Sequence, residues 1–409
     1  MKVQKNKKKS AGFLKGRVCV VGGAGHVGLP LGLVFADRGF EVVVYDLNIE
    51  ALNTIRSGRV PFMEKGSAAL LEKVLKSGKL LLSNDPHAIA GAEVVIITIG
   101  TPVDEFLNPD TKVIKDCMDR LLPYLDDGQL ILLRSTVYPG TTQWLDKYLK
   151  RNKKKVRVAF CPERVVQGYA IEEVQKLPQI VSGVTPEAEE DAARLFARIA
   201  PQVVRLRPME AEFAKLFSNA YRYIQFAISN QFFMIAHSAG LDFDRIIEGM
   251  KKNYPRAAEI PRAGFAAGPC LLKDTMQLAA FSDNQFSLGH SAMNINEGLV
   301  LYLVAALEKK YRLDRSVVGL LGMAFKAESD DIRSSLSYKL KKVLLYHAKE
   351  VLTTDPYVKT DPSLLDASEV IRKSDLLILC VPHKAYRKLR FGKKPVVDIW
   401  GFLNKGTGI

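Results

Sequence analysis

Over the first third of the chain, short and nearly unbroken apolar runs alternate with stretches of helical periodicity. RVCVVGG (17–23), EVVVYD (41–46), EVVIITIG (93–100) and LILLRS (130–135) predict strands buried on both faces of a parallel sheet. A helical pattern lies between the first two, and the later connections are long enough for crossover helices. The same arrangement returns in VVGLLG (317–322), EVLTTD (350–355), DLLILCVP (375–382) and VVDIW (396–400). In both sets the second strand closes on an aspartate, Asp46 or Asp355, and the third runs into a proline-containing turn. From about Glu210 to Lys310 strand-like runs vanish. There 209–240 reads as one long helix, with a buried face at Phe213, Leu216, Phe217, Ala220, Ile224, Ala227 and Ile228 and a stop at Gly240. The pattern predicts an α/β fold of two doubly wound Rossmann-like domains joined by a long central helix and helical segment. The expected divisions are a basic tail at 1–15, a first domain at 16–205, a helical segment at 206–311 and a second domain at 312–409.

A chain of 409 residues agrees with several cores, at roughly 150 residues per domain. No apolar run approaches the roughly 18 residues that span a bilayer, and no signal-peptide core follows the basic N-terminus. A cytoplasmic protein without a membrane partner is expected. The net charge is +15, and about half of it sits in residues 1–17, which hold no acid. That tail reads as a solvated lysine run, while the rest of the excess suits an anionic partner such as a phosphorylated substrate. The five cysteines lie far apart, at 19, 117, 161, 270 and 380, and the six histidines lack ligand spacing, so neither a disulfide framework nor a metal site is expected.

Gly23-Ala-Gly25-His26-Val27-Gly28 follows the first strand and opens a helix, and Asp46 closes the next strand eighteen residues beyond Gly28. In that context the glycines permit a tight turn, admit a pyrophosphate near the backbone and let helix pack on strand. Asp46 suits a ribose 2′-hydroxyl and repels a 2′-phosphate, so NAD is the expected cofactor. The C-terminal copy has only Gly319 and Gly322 and is expected to bind something other than a dinucleotide pyrophosphate. Cys270 follows a Gly-Pro turn next to Lys273 and Asp274, where it is either an inert buried thiol or a nucleophile. Lys215 and Asn219, i and i+4 on the long helix, either pair on a solvated face or present an ammonium and an amide to one oxygen. Thr136 and Glu163 follow strands, at the edge where open α/β sheets hold ligands, and an ordinary cap or surface role stands beside that reading.

The segments VGGAGHVGLPLG, ITIGTPVDEFLNPD, RSTVYPGTT, CPERVVQGYA, EFAKLFSNAYR, GPCLLKD, LLGMAFKAESDDIRSS, TTDPYV and CVPH run in that order from about Arg17 to Gly401. Through them the chain resembles the nucleotide-sugar 6-dehydrogenase family, the UDP-glucose and GDP-mannose dehydrogenase group. The resemblance implies an NAD-dependent enzyme that oxidises the C6 hydroxyl of a UDP-sugar to a carboxylate in two steps, for surface polysaccharide precursors. It implies an N-terminal NAD domain, a central dimerisation segment and a C-terminal UDP-sugar domain. Cys270 matches the nucleophile that forms a thiohemiacetal and then a thioester. Lys215 and Asn219 match oxyanion-stabilising, substrate-binding residues, and Glu163, Thr136 and Asp274 match residues around the hydrolytic water. Gly23, Gly25, His26, Val27, Gly28, Asp46, Thr101, Pro102, Thr136 and Arg333 fall to the cofactor, and Lys326 and Arg256 to the substrate. Arg256 matches an arginine delivered to the neighbouring subunit, so a homodimer or larger homo-oligomer is expected, with no nucleic acid partner and no metal.

Two departures bear on the sugar. Ala263-Gly-Phe-Ala266-Ala267-Gly-Pro269 is bulkier than the glycine string that the family usually carries before its cysteine, and Ser182 stands where many members pair glycines. The phrases around Val103 and Cys161 favour members acting on UDP-N-acetylhexosamines, of the UDP-N-acetylmannosamine type, while Gly-Pro-Cys270-Leu-Leu-Lys-Asp also fits the UDP-glucose branch. Other classes remain as alternatives. One is a two-electron hydroxyacid dehydrogenase, and another is a basic, non-catalytic Rossmann scaffold that has no need of Cys270, Lys215 and Asn219 together.

Overall fold

In the computed structural model, residues 16–403 and 409 are described, so the basic tail at 1–15 lies outside the described residues. The described residues form two compact units, divided between Leu216 and Phe217. The first holds an eight-stranded sheet of β1 (Arg17–Val21), β2 (Glu41–Tyr45), β3 (Leu80–Ser83), β4 (Val94–Ile97), β5 (Leu130–Leu133), β6 (Arg157–Phe160), β7 (Gln179–Gly183) and β8 (Val203–Arg205). Their order is β3-β2-β1-β4-β5-β6-β7-β8, parallel throughout except for the antiparallel pair β6–β7. Alternation along the strands divides the core between the two sheet faces. Val18, Val20, Val42, Val44, Val94 and Ile96 point into one cluster, and Cys19, Val21, Val43, Val95 and Ile97 into the other. Both faces are apolar because helices cover both, which is why these runs lack the polar alternation of a half-exposed strand.

The second unit holds a four-stranded parallel sheet of β9 (Val317–Leu321), β10 (Glu350–Thr354), β11 (Leu376–Leu379) and β12 (Val396–Val397), in the order β10-β9-β11-β12. The expected strand at 396–400 is therefore two residues long, because Asp398 turns back to accept the N–H groups of Trp400 and Leu403. The helix Pro208–Ser238 spans the boundary between the units, and Gly240 beyond it takes a left-handed φ of 70°. Its buried positions differ from the expected face. Leu216, Ala220 and Ala227 are buried, but so are Asn219, Tyr223, Asn230 and Phe233, whereas Phe217 and Ile228 are exposed. Among the described residues, no helix is long and apolar enough to cross a membrane.

Candidate active site

In the first unit the site begins where β1 ends. Gly22, one residue before the glycine fingerprint, takes the left-handed conformation at φ 72°, and Gly22 and Gly23 donate their N–H groups to the Tyr45 carbonyl at 2.9 and 3.2 Å. A methyl group at Gly28 would fall 2.6 Å from the Gly23 backbone, so strand and helix meet there in a way that only glycine allows. At Gly25 a methyl group would meet only the Gly22 carbonyl, at 3.5 Å, which leaves that stretch of backbone approachable. The helix Gly28–Asp37 has no acidic residue in its first turn, so its N-terminal dipole stays open to an anion. Asp46 accepts the Ala24 N–H through one oxygen and the Asn48 N–H through the other, both at 2.9 Å. Each oxygen keeps a lone pair for a ribose hydroxyl. A cradle open at Gly25, a helix N-terminus and an oriented carboxylate together fit an adenine dinucleotide, which supplies a hydride acceptor when bound.

The loops after β4 and β5 are stitched together. The Thr101 hydroxyl donates to the Thr136 carbonyl at 2.5 Å and the Ser135 hydroxyl to the Ile99 carbonyl at 2.6 Å, which brings two of the expected site residues into contact, while Pro102 beside them is exposed. His26 stacks on Phe62 with ring centroids 4.1 Å apart. Glu163, three residues past β6, receives Arg134 Nη2 at 2.5 Å on one oxygen and the N–H groups of Arg164 and Val165 on the other, at 2.7 and 3.0 Å. Arg134 is fully buried. Its Nη1 donates to the Cys161 carbonyl and to Gln179 Oε1. Neither Arg134 nor Gly22 was singled out from the sequence, although a cation closing the all-apolar run LILLRS was a signal for a buried role.

In the second unit, Cys270 is the exposed N-cap residue of the helix Leu271–Phe281. Asp274, one turn on and fully buried, accepts the Asn219 amide at 2.5 Å and pairs with Lys273 at 2.7 Å. The loop leading to the cysteine is clamped. Asn230 accepts the Gly264 N–H and donates to the Gly264 carbonyl, and a methyl group at Gly264 would strike the Trp400 ring. Gly268 donates to the Ser334 carbonyl, and a methyl group there would lie 2.5 Å from the Phe325 ring. Ala263, Phe265 and Ala266 are buried, so the bulk that replaces a glycine string is core packing. Segment 325–334, which carries Lys326 and Arg333, thus supports the cysteine loop. Arg333 forms a bidentate pair with Asp331 and lies in electrostatic reach of Cys270. The helix N-terminus and Arg333 each contribute positive potential at the sulfur. The other four thiols are less exposed. Burial pushes those of Cys19 and Cys161 up to about 12 and that of Cys117 up to about 11, and it raises that of Cys380 as well.

Lys215 is half-buried on the helix Pro208–Ser238, one turn before Asn219, and among the described residues its ammonium makes no ion pair or hydrogen bond. Arg256 is exposed beside Tyr254. In the C-terminal sheet Asp355 repeats the geometry of Asp46 by accepting the N–H groups of Met323 and Ala324 at 2.7 and 2.9 Å. Here, however, the carboxylate is sealed. His383 accepts the Glu328 N–H at Nδ1, which leaves Nε2 as the donor to Asp355, and the N–H groups of Tyr357 and Val358 occupy the other oxygen. No lone pair is left for a ribose.

The chain matches the UDP-glucose/GDP-mannose dehydrogenase family along most of its length. Residues 16–200 match its NAD binding domain, 209–298 its central domain and 319–405 its UDP binding domain. It is 30% identical to a UDP-N-acetyl-D-mannosamine dehydrogenase of Pyrococcus horikoshii, covering 92% of this chain and 91% of that one. It is 27% identical to an NDP-N-acetyl-D-galactosaminuronic acid dehydrogenase of Ralstonia nicotianae, covering 94% and 96%. A solved structure of a UDP-D-ManNAc dehydrogenase from Pyrococcus horikoshii superposes with a TM-score of 0.87 at 28% identity, over 93% of this chain and 94% of that one. With the open glycine cradle and oriented Asp46 of its first unit and the sealed Asp355 of its second, the chain belongs to the UDP-glucose/GDP-mannose dehydrogenase family, as an NAD-dependent nucleotide-sugar dehydrogenase.

Proposed function

We propose that this enzyme oxidises the C6 hydroxyl of a UDP-N-acetylhexosamine, of the UDP-N-acetylmannosamine type, to the uronate through a thioester on Cys270. The observation that carries the reading is an exposed thiol at a helix N-terminus near Arg333, with the buried Asn219–Asp274 pair one turn along. Gly23, Gly25, His26, Val27, Gly28 and Asp46 hold the cofactor, with Thr101, Pro102, Thr136 and Arg333 beside it. Lys215 and Asn219 donate to the C6 oxygen as charge develops on it, which is why an ammonium without a competing partner is useful there. The Cys270 thiolate adds to the C6 aldehyde and gives a thiohemiacetal, whose oxidation leaves the thioester. Water then adds to the thioester carbonyl, its proton passes to Glu163, and the carbon–sulfur bond breaks to release the carboxylate and restore the thiolate. Thr136 and Asp274 orient that water and its protons. Each sugar thus loses two hydrides.

Lys326 and Arg333 serve the phosphates, and 16–205, 206–311 and 312–409 act as cofactor, dimerisation and UDP-sugar domains. A second copy of the chain covers the exposed stripe Phe217, Tyr221, Ile228, Phe232 and Ile235 and receives Arg256 in its site. The product is a precursor for surface polysaccharide, made in the cytoplasm. The acetylated sugar draws its support from the two curated relatives, whose names both specify N-acetylated sugars. The test is NADH formation with UDP-N-acetylmannosamine, UDP-N-acetylglucosamine, UDP-N-acetylgalactosamine and UDP-glucose in parallel. An acetylated sugar should give the highest kcat/KM, and the highest value with UDP-glucose would move the enzyme to that branch.

A further inference from the structure

Arg134 is a full positive charge placed where no water reaches it, which is costly unless its donors are met. Nη1 and Nη2 are met in a particular way, while Nε has no hydrogen-bond partner among the described residues. Nη1 takes two neutral acceptors, the Cys161 carbonyl at 3.0 Å and Gln179 Oε1 at 2.7 Å, and the guanidinium carbon sits 4.8 Å from the centre of the Phe196 ring. Only Nη2 meets a carboxylate, that of Glu163. Gln179 is fixed in turn, since its own amide donates to the carbonyls of Ile180 at 2.7 Å and Pro162 at 3.2 Å. The guanidinium is therefore held from behind by β6 and β7 and presents one nitrogen forward to Glu163. The N–H groups of Arg164 and Val165 grip the second Glu163 oxygen, so both ends of the carboxylate are fixed. The Glu163 side chain keeps 13% of its surface exposed, which leaves a face for water while its orientation is set from the buried side.

We infer that Arg134 is a positioning residue that fixes the Glu163 carboxylate for thioester hydrolysis and takes no part in the hydride-transfer steps. The inference rests on the proposed role of Glu163. A guanidinium suits the task better than an ammonium because its planar fork can address Gln179, the Cys161 carbonyl and Glu163 together from one rigid group, whereas lysine would have to choose among them. A carboxylate displaced by about 1 Å from its place can cost about 10²-fold in the step that it serves.

The test compares Arg134→Lys, Glu163→Asp, Glu163→Gln and the double variant Arg134→Lys/Glu163→Gln. Each is mixed with UDP-N-acetyl-D-mannosamine and NAD, followed by NADH absorbance and by the intact mass of the protein. Arg134→Lys is expected to keep the rapid NADH phase, to gain the mass of one UDP-sugar acyl group on Cys270, and to turn over about 10–10²-fold more slowly in the steady state. Glu163→Asp keeps the carboxylate but withdraws it from Arg134, and should behave in the same way. The double variant should hydrolyse its acyl-enzyme no more slowly than Glu163→Gln alone, because Arg134 acts through that residue. Wild-type hydrolysis in Arg134→Lys overturns the inference. So does loss of the rapid phase without any adduct while Glu163→Gln still traps its acyl group, since Arg134 would then serve packing alone. If Glu163→Gln itself traps nothing, the role of Glu163 falls and the inference falls with it. Should Arg134→Lys fail to fold, Glu163→Asp decides alone, and normal hydrolysis in that variant overturns the proposal.

Discussion

Gly268 holds the backbone at φ 105° with the Phe325 ring against the position where a side chain would begin, two residues before Cys270. A non-glycine residue there meets both backbone strain and an aromatic ring. Strain alone costs roughly 1–2 kcal/mol. Gly268→Ala is therefore expected to lower the melting temperature and, by shifting Cys270, to cut kcat at least tenfold, as a misplacement of about 1 Å does. The Gly25 cradle and Asp46 lie in the other unit, so NAD binding should persist. Thermal unfolding and an NAD titration monitored by fluorescence check both halves of that expectation. Part of this residue-level picture was legible in the sequence. The order of glycines, Asp46 and the Gly-Pro-Cys270 turn could be read directly, because each imposes its geometry locally. Arg134 was not read, since its three acceptors come from the end of β6, from β7 and from a loop, which only the fold assembles.

At the scale of elements, Glu212 ties the start of the helix Pro208–Ser238 to the loop that follows Thr136. Fully buried, it accepts the N–H groups of Gly140 and Thr142 and the Thr142 hydroxyl, and so closes the N-terminus of the helix Thr141–Arg151. Burial pushes its carboxyl above the ordinary carboxylate range, against the pull of those three donors. A raised folded-state value means that the stability it contributes is complete below the unfolded value and is lost as pH rises through the folded value. Relative to wild type, Glu212→Gln should therefore become progressively more stable as pH rises from the ordinary carboxylate range, and urea melts at pH 4.5 and 7 measure that trend. A parallel trend in the two proteins contradicts it. The helix was placed from its apolar spacing to within a residue or two at each end, but its face was misread. Phe217 and Ile228 fitted a three-four pattern, yet the burial of Asn219, Tyr223 and Asn230 rotates the covered side, because Asn219 and Asn230 find hydrogen-bond partners in other segments. Strands β3, β7 and β8 escaped notice because they are short and, as in Val203-Val-Arg205, carry charge or lack a long apolar run.

At the scale of the whole molecule, the stripe of exposed apolar residues from Phe217 to Ile235 and the exposed Arg256 bear on assembly. If a second copy receives Arg256, then Arg256→Ala and Cys270→Ser, each inactive alone, should regain part of the activity when coexpressed, because mixed dimers pair one intact Cys270 with one intact Arg256. Activity that stays at the level of the single variants would place Arg256 in its own subunit's site. The central claim is a four-electron oxidation held on Cys270 between its two halves, and the most direct measurement counts NADH formed per UDP-sugar consumed while testing for free aldehyde. The account predicts a ratio of two with no aldehyde released. A ratio of one, with aldehyde accumulating in solution, would contradict it and leave a simple two-electron dehydrogenase.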